Sequence, residues 1–251
     1  MSRTSRRGMT AGSDGDAAAG QPTTEKVHGI FSRIAGTYDL LNRLISLGRD
    51  EAWRRRTVDL AELTPDSRVL DLAAGTGDLT MALARRGRPA EVVSTDFVAE
   101  MLEVAKPKAA AYDGPTRISF QVEDAQALTL PDESFDVATA GFGVRNMPDR
   151  AANFREVLRV LRPGGRYLIL EFSTPRIAPI RWVARWYIKT FIPMVGGMIS
   201  GDRAAYQYLN DSILAFPPQD VLAAELRDAG FREVTWHGMT FGVVAIHVAV
   251  K

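Results

Sequence analysis

Between Val69 and Asp78 the chain reads VLDLAAGTGD, an apolar run that ends in an acid and passes into a turn of small residues. Gly75 and Gly77 permit positive φ and leave bare main chain against which a ligand can lie. A turn of this kind joins a buried strand to a helix. Short β-branched runs alternate with helical ones on both sides of it: Arg68 to Leu72, Glu91 to Thr95, Ile118 to Val122, Phe135 to Ala140 and Arg166 to Phe172 read as strands. Asp78 to Arg86, Glu100 to Ala111 and Ala151 to Leu161 read as helices between them. That rhythm predicts an α/β fold with a mostly parallel sheet, helices on both faces. Ligands in such sheets sit at the carboxyl ends of the strands, where strand order reverses. Pro218 to Ala229 reads as a further helix, and Phe231 to His237 with Val243 to Val250 as a closing strand pair, seven strands in all.

Two stretches depart from this rhythm. Val27 to Leu63 carries Ile30, Phe31, Ile34, Tyr38, Leu41, Leu44 and Ile45 at helical spacing, which predicts two or three helices broken near Gly48. Thr174 to Leu214 interrupts the alternation after the fifth strand, and an insertion there would lie over the ligand edge of the sheet. The expected organisation is a disordered tail over 1–25 and one domain over 26–251, with a helical cap over 26–63 and an inserted helical lid over about 174–214. A chain of 251 residues, 46% of them hydrophobic, can bury one substantial core.

Composition removes several chemistries. There is no cysteine, hence no disulfide, thiolate metal site or cysteine nucleophile. His28, His237 and His247 have no metal-ligand spacing, and no metal is expected. A net charge of +1 gives no field for nucleic acid. The first 25 residues carry Arg3, Arg6 and Arg7 without the apolar run of a secretory signal, and no stretch has the roughly 18 uninterrupted apolar residues of a membrane span. The expected location is the cytoplasm.

The glycine turn fits only part of G-x-G-x-x-G, because Thr80 stands where the third glycine would be. That weakens a nicotinamide or flavin reading. Asp96 closes the second strand, 19 residues beyond Gly77, where a carboxylate can accept hydrogen bonds from both ribose hydroxyls. Asp124 follows the third strand, where it can accept from an adenine amino group, with the small Ala125 beside it leaving room for the ring. Asp71, Asp96 and Asp124 are thus expected at one sheet edge, which suits a sulfonium-bearing cofactor better than a pyrophosphate. The residues alone give an adenosine-like site.

The order of strand, AAGTGD, second-strand acid, third-strand acid and LRPGG (Leu161 to Gly165) resembles the class I, Rossmann-like methyltransferases across roughly Ser67 to Phe172. Pro163, Gly164 and Gly165 themselves read as a plain turn. IAGTYDLLNRLISLGRDEAWRR, FGVRNMPD, RVLRPGGRYLILEFS, SGDRAAYQYLNDSILAFPPQ and MTFGVVAIH narrow the likeness to the C-methyltransferases of menaquinone and ubiquinone biosynthesis, over nearly the whole chain after residue 25. Departures from the common pattern are Leu41 for Met, Asp50 for His, Arg162 for Lys, and Gly141 for a Ser whose hydroxyl would touch the cofactor.

The resemblance implies S-adenosylmethionine as cofactor, held by Asp71, Ala73, Gly75, Thr76, Gly77, Asp96, Asp124, Ala125 and Gly141. It implies methyl transfer to a ring carbon of a polyprenylated demethylated quinol, demethylmenaquinol ahead of the ubiquinone-pathway benzoquinol. Loss of a phenolic proton pushes electron density onto that carbon. Arg145 is implied to stabilise the phenolate or order a proton-accepting water, Asn146 to fix Arg145 or that water, and Tyr38 to hydrogen-bond the water or close over the cofactor.

Arg181, Arg185 and Lys189 fall at i, i+4 and i+8 between Ile180 and Ile192, beside Trp182, Val183, Trp186, Tyr187 and Phe191. That is the pattern of an interfacial helix, on the inner face of the cell membrane, or of a lid packed on its own molecule. A homodimer stays open. A nucleic-acid methyltransferase is opposed by the near-neutral charge and by the absence of an Asn-Pro-Pro-Tyr or cysteine motif after the fourth strand. A non-enzymatic cofactor-binding subunit is opposed by the intact FGVRN loop, and another small-molecule methyltransferase only by the narrower motifs.

Overall fold

The computed structural model describes residues 24–191 and 203–251. The expected tail lies outside the described residues up to residue 23. Thr24 and Glu25 instead open the first helix, where the Glu25 carboxylate sits favourably in the first turn. That helix, α1 (Thr24–Ile34), runs through one 3-10 turn (Ala35–Thr37) into α2 (Tyr38–Ile45). The predicted break falls at Leu47 and Gly48, both with positive φ, and α3 (Asp50–Leu60) follows.

The sheet comprises β1 (Arg68–Leu72), β2 (Glu91–Asp96), β3 (Arg117–Val122), β4 (Phe135–Gly141), β5 (Leu161–Phe172), β6 (Glu233–Met239) and β7 (Val244–Val250). Their order is β3-β2-β1-β4-β5-β7-β6, with β7 antiparallel to both neighbours and the other pairs parallel. Order reverses between β1 and β4. The central strands β1 and β2 are buried almost throughout, around the apolar stretches Val69-Leu70 and Val92-Val93, while β3 at the edge is partly buried in its middle and exposed at both ends.

Helices cover both faces. On one, Phe154, Val157 and Val160 of α6 (Arg150–Val160) and Leu222, Ala223 and Leu226 of a helix over Gln219–Asp228 join the core with Leu70, Leu72 and Ile169. On the other, Trp53 and Val58 of α3 and Leu79 of α4 (Asp78–Ala82) meet Val69, Leu168 and Ile246. The α4 helix continues through a wider turn over Leu83–Gly87, and α5 (Ala99–Ala110) follows β2.

The Pro163-Gly164-Gly165 turn lies inside β5 rather than before it. Phe135 pairs with Leu161 and Val137 with Arg166, so residues 162–165 form a bulge with Gly164 at φ 79°. The strand resumes because Leu161 already pairs with β4.

Over 174–214 the chain forms α7 (Ala178–Trp186), a wider turn (Tyr187–Phe191) and α8 (Arg203–Ala215). Ile192 of the expected interfacial helix lies outside the described residues. Ile188 and Ile213 pack on Leu41 and Ile45 of α2, and Ala205 and Tyr208 of α8 pack on Val27 and Ile30 of α1. Cap and insertion thereby meet each other above the carboxyl ends of the strands.

Candidate active site

A cavity opens at the carboxyl ends of β1 to β4, beside the point where strand order reverses. Its lining includes Ala73, Gly75, Asp96, Asp124 and Ala125 from the strand ends, and Phe31 and Tyr38 from the cap. Phe97, Val98, Met101 and Met147 add apolar walls. Ala73 at φ 48° and Phe142 at φ 56° are non-glycine residues in the left-handed region, flanking the cavity at the ends of β1 and β4. Strain of that kind clusters at functional sites. Gly77 has φ 79°, and a Cβ there would stand 2.8 Å from the Ala105 Cβ of α5, so only glycine lets α5 pack against the turn.

Asp96 is buried and accepts from the backbone N–H of Gly75 at 2.8 Å and of Val98 at 2.9 Å. Each oxygen keeps a lone pair for a ligand. Burial pushes its carboxyl up to about 6, against those backbone donors. Asp124 is exposed at the rim, where it accepts from the Gln126 backbone and side chain.

Four of the residues expected around the cofactor do not line the cavity. Asp71 lies inside β1, fully buried, and accepts from Thr80 Oγ1 at 2.6 Å and Thr139 Oγ1 at 2.7 Å. Its alternation along the strand turns it into the sheet, where it buttresses α4 and β4 from beneath the turn. Thr76 donates its hydroxyl to Asp39 Oδ1 at 2.5 Å, and Gly77 faces Ala105. A Cβ at Gly141 would stand 3.1 Å from Leu79 of α4, so a side chain there would press on α4, where Leu79 already fills the space, and not enter the cavity wall.

A second chamber adjoins the first and shares Phe31, Tyr38 and Asn146 with it. Its remaining lining is apolar, Ile30, Ile34, Leu41, Ile45, Ala205 and Leu209, except for a polar floor of Asn42, Arg145 and Tyr208. The Phe31 and Tyr38 rings meet edge to face at 5.9 Å. Arg145 is buried in a short 3-10 turn, Val144–Asn146, after β4. Its Nη1 donates to both Glu171 carboxylate oxygens, at 3.2 and 3.1 Å, and to the Phe142 carbonyl, while its own backbone N–H donates to Glu171 at 3.1 Å. Its Nε has no partner among the described residues. Burial works against the charge, but the Glu171 carboxylate outweighs it and holds the guanidinium protonated.

Tyr208 donates to Asn146 Oδ1 at 3.0 Å. Burial raises both tyrosines, Tyr38 against the opposing pull of Arg145 and Tyr208 to about 12, so both remain hydroxyl donors at neutral pH. The structure brings Tyr38, Arg145 and Asn146 together, as expected, and adds two residues the sequence did not single out. Glu171 had a signal, since an acid inside the apolar run LILEF must be paired. Tyr208 had none, because a tyrosine on a helix is ordinarily core.

Among the described residues no group of three His, Asp or Glu side chains is disposed to hold a metal ion. Solved structures that share the fold include the S-adenosylmethionine-dependent "possible histamine N-methyltransferase" of Thermotoga maritima, 20% identical with a TM-score of 0.62, covering 89% of this chain and 99% of that one. The [4+2]-cyclase SpnF, 18% identical with a TM-score of 0.67, covers 92% and 97%. A cyclase beside a methyltransferase shows that the fold alone does not fix the chemistry.

Sequence relatives are nearer. The demethylmenaquinone methyltransferase of Thermus thermophilus is 48% identical over 219 residues, 87% of this chain and 98% of that protein. The ubiquinone/menaquinone biosynthesis C-methyltransferase UbiE of Geotalea daltonii is 41% identical over 90% of this chain and 97% of that protein. The model of the ubiE/COQ5 methyltransferase family matches residues 20–251. The chain therefore belongs to the ubiE/COQ5 methyltransferase family and is an S-adenosylmethionine-dependent C-methyltransferase.

Proposed function

We infer that the protein methylates a ring carbon of a demethylated polyprenyl quinol, demethylmenaquinol in the first instance. The observation that carries this reading is the apolar chamber with a polar floor, joined to the cofactor cavity through Phe31, Tyr38 and Asn146. A flat apolar ring bearing hydroxyls matches it, and relatives bearing the menaquinone name support it.

The cavity fits S-adenosylmethionine in its donor set: a buried strand-end carboxylate, a rim carboxylate, bare main chain at Gly75 and apolar walls. Asp96 would take the ribose hydroxyls, Asp124 and Ala125 the adenine edge, and Ala73 with Gly75 the amino-acid portion. Asp71, Thr76, Gly77 and Gly141 would act from outside the cavity, by shaping the turn. When bound, the cofactor supplies a methyl group on a positively charged sulfur.

The chain's own residues have to make a phenol ring nucleophilic. Arg145, a fixed cation, lowers the cost of a phenolate beside it, and its partnerless Nε would gain an acceptor there. Tyr38 and Tyr208, both held protonated, orient the hydroxyl or a water that takes its proton. Asn146, bound to Tyr208, fixes the loop that carries Arg145. The apolar walls of cap and α8 exclude bulk water, which strengthens each of these interactions.

The deciding experiment supplies purified protein with labelled cofactor and either demethylmenaquinol or the demethylated benzoquinol. Label entering the naphthoquinol ring is the expected result. Transfer to the benzoquinol alone would move the assignment to that pathway, and transfer to neither would refute it.

The prenyl tail makes a membrane surface the natural place of work. No described helix is long and apolar enough to cross one. No residue of α7 is buried: Trp182, Val183 and Trp186 stand exposed beside Arg181, Arg185 and Lys189, and Leu40, Leu44 and Leu47 are exposed on α2 and the turn after it. Tyr187 ties the two elements, donating to the Ile45 carbonyl at 3.0 Å. Apolar side chains among cations suit an anionic bilayer. The protein is expected to float with anionic vesicles and not with zwitterionic ones. Flotation unchanged by Glu at 181, 185 and 189 would sink the idea.

A further inference from the structure

The YDLLN segment contributes more than Tyr38. Asp39, next in the chain, lies at the centre of a polar chain that joins four separate elements. One carboxylate oxygen accepts from Thr76 Oγ1 of the glycine turn at 2.5 Å, and the other from Lys108 Nζ of α5 at 2.5 Å. Lys108 also donates to Asp78 at 2.7 Å, Asp78 faces Arg54 of α3 at 3.2 Å, and Arg54 bonds Asp50 at 2.5 Å. Asp50 accepts from Ser46 at the end of α2 at 2.7 Å, so the chain returns to the helix on which it began.

Thr76 is buried, and donation to Asp39 occupies the only proton of its hydroxyl. The cap also meets the start of α5 through apolar contacts, Ala35, Phe31 and Tyr38 with Val98 and Met101, and through His28 beside Glu100 at 3.9 Å.

We propose that Asp39, with Thr76 and Lys108, is a positioning clasp that fastens the helical cap onto the cofactor turn, setting the rate at which S-adenosylmethionine leaves and keeping Tyr38 over the cavity. The reasoning rests on the cofactor occupying that cavity. Gly75 and Tyr38 both line the cavity, so cofactor there lies under the cap, and lifting the cap from the turn breaks the Asp39 bonds. Asp39, Lys108 and Asp78 are all partly exposed, so the clasp is open to salt screening.

The test is the dissociation rate of labelled S-adenosylmethionine, chased with excess unlabelled cofactor. Asp39→Asn should release cofactor about tenfold faster, the effect of weakening a charge-assisted pair of hydrogen bonds. KM for the cofactor should rise in step, with kcat at saturation falling less. Thr76→Val should do the same, and combining it with Asp39→Asn should add little. Thr76→Ser, which restores the hydroxyl, should recover the wild-type rate. Salt should speed release from the wild type and not from Asp39→Asn. Asp59→Asn, which removes an acid paired with Arg86 on the outer side of α3, is the charge-matched control and should leave the rate unchanged.

Wild-type rates in both Asp39→Asn and Thr76→Val would overturn the clasp. If either variant fails to fold, the other together with the wild-type salt profile decides. Wild-type protein that binds no labelled cofactor would refute the cavity assignment and the clasp with it, whereas binding with unchanged release in both variants would overturn the clasp alone.

Discussion

Arg145→Met is expected to lower kcat about a thousandfold, the scale of losing a charge-stabilising donor at a reacting oxygen, with cofactor affinity within about threefold of wild type. The same change should also cost about 3–5 kcal/mol of stability, because it leaves the Glu171 carboxylate buried without its cation. These two effects are separable. Arg145 and Glu171 are both almost fully inaccessible, with side chains 3% and 1% exposed, so replacing the pair by Met and Leu exchanges two buried charges for apolar packing. The double variant should recover most of the lost stability in urea unfolding while remaining inactive. Activity restored in the folded double variant would remove Arg145 from the chemistry and leave it a structural residue.

Asp96→Asn is expected to raise the dissociation constant for S-adenosylmethionine about a hundredfold, with kcat at saturating cofactor far less affected. Two hydrogen bonds from ribose to a charged acceptor account for that scale. The substitution is nearly isosteric, but it sets an amide NH2 against either the Gly75 or the Val98 backbone donor. Isothermal calorimetry reads the constant directly, and a change under threefold would remove Asp96 from cofactor binding.

The pH dependence has a definite sign. Burial raises the Asp96 carboxyl from its ordinary value to about 6 in the folded protein, so its ionisation disfavours the empty fold as pH rises from about 4 through 6. Ribose hydroxyls favour the ionised form. Cofactor affinity should therefore be full above about pH 6, fall as pH drops through 6, and lose that step in Asp96→Asn. Asp71, also raised to about 6 by burial, adds to the stability term but does not face the cofactor cavity.

Most of the sheet was legible because its signals are local. A central parallel strand buried on both faces is built around a short apolar or β-branched stretch, and β1, β2 and β4 each carry one, in RVLDL, EVVSTD and FDVATAG. The break near Gly48 and the closing antiparallel pair were legible for the same reason, since turn residues and β-branched runs mark them. The Pro163-Gly164-Gly165 turn read correctly as a turn and wrongly as a boundary, because only the partner strand β4 shows that Leu161 already pairs.

Within the site, Asp96, Asp124, Ala125 and Gly75 could be assigned to a cavity wall from strand ends alone. Asp71, Thr76 and Gly141 could not be separated from them, because sequence adjacency to a ligand-binding turn does not give side-chain direction. One residue of shift along a strand reverses it.

By itself, then, the sequence determined the layer order, the edge of the sheet where ligands sit, and the family with its cofactor. The first two follow from periodicity and glycine positions, each readable within a few residues of chain, and the last from a resemblance carried by motifs spread along nearly the whole chain. Only the tertiary structure decided what Arg145 and Thr76 do with their donors. Arg145 meets Glu171 from a strand 26 residues away, Thr76 meets Asp39 from a helix 37 residues away, and Tyr208 reaches Asn146 across 62. Such partners are chosen by how cap, sheet edge and insertion dock, and no local pattern records that choice.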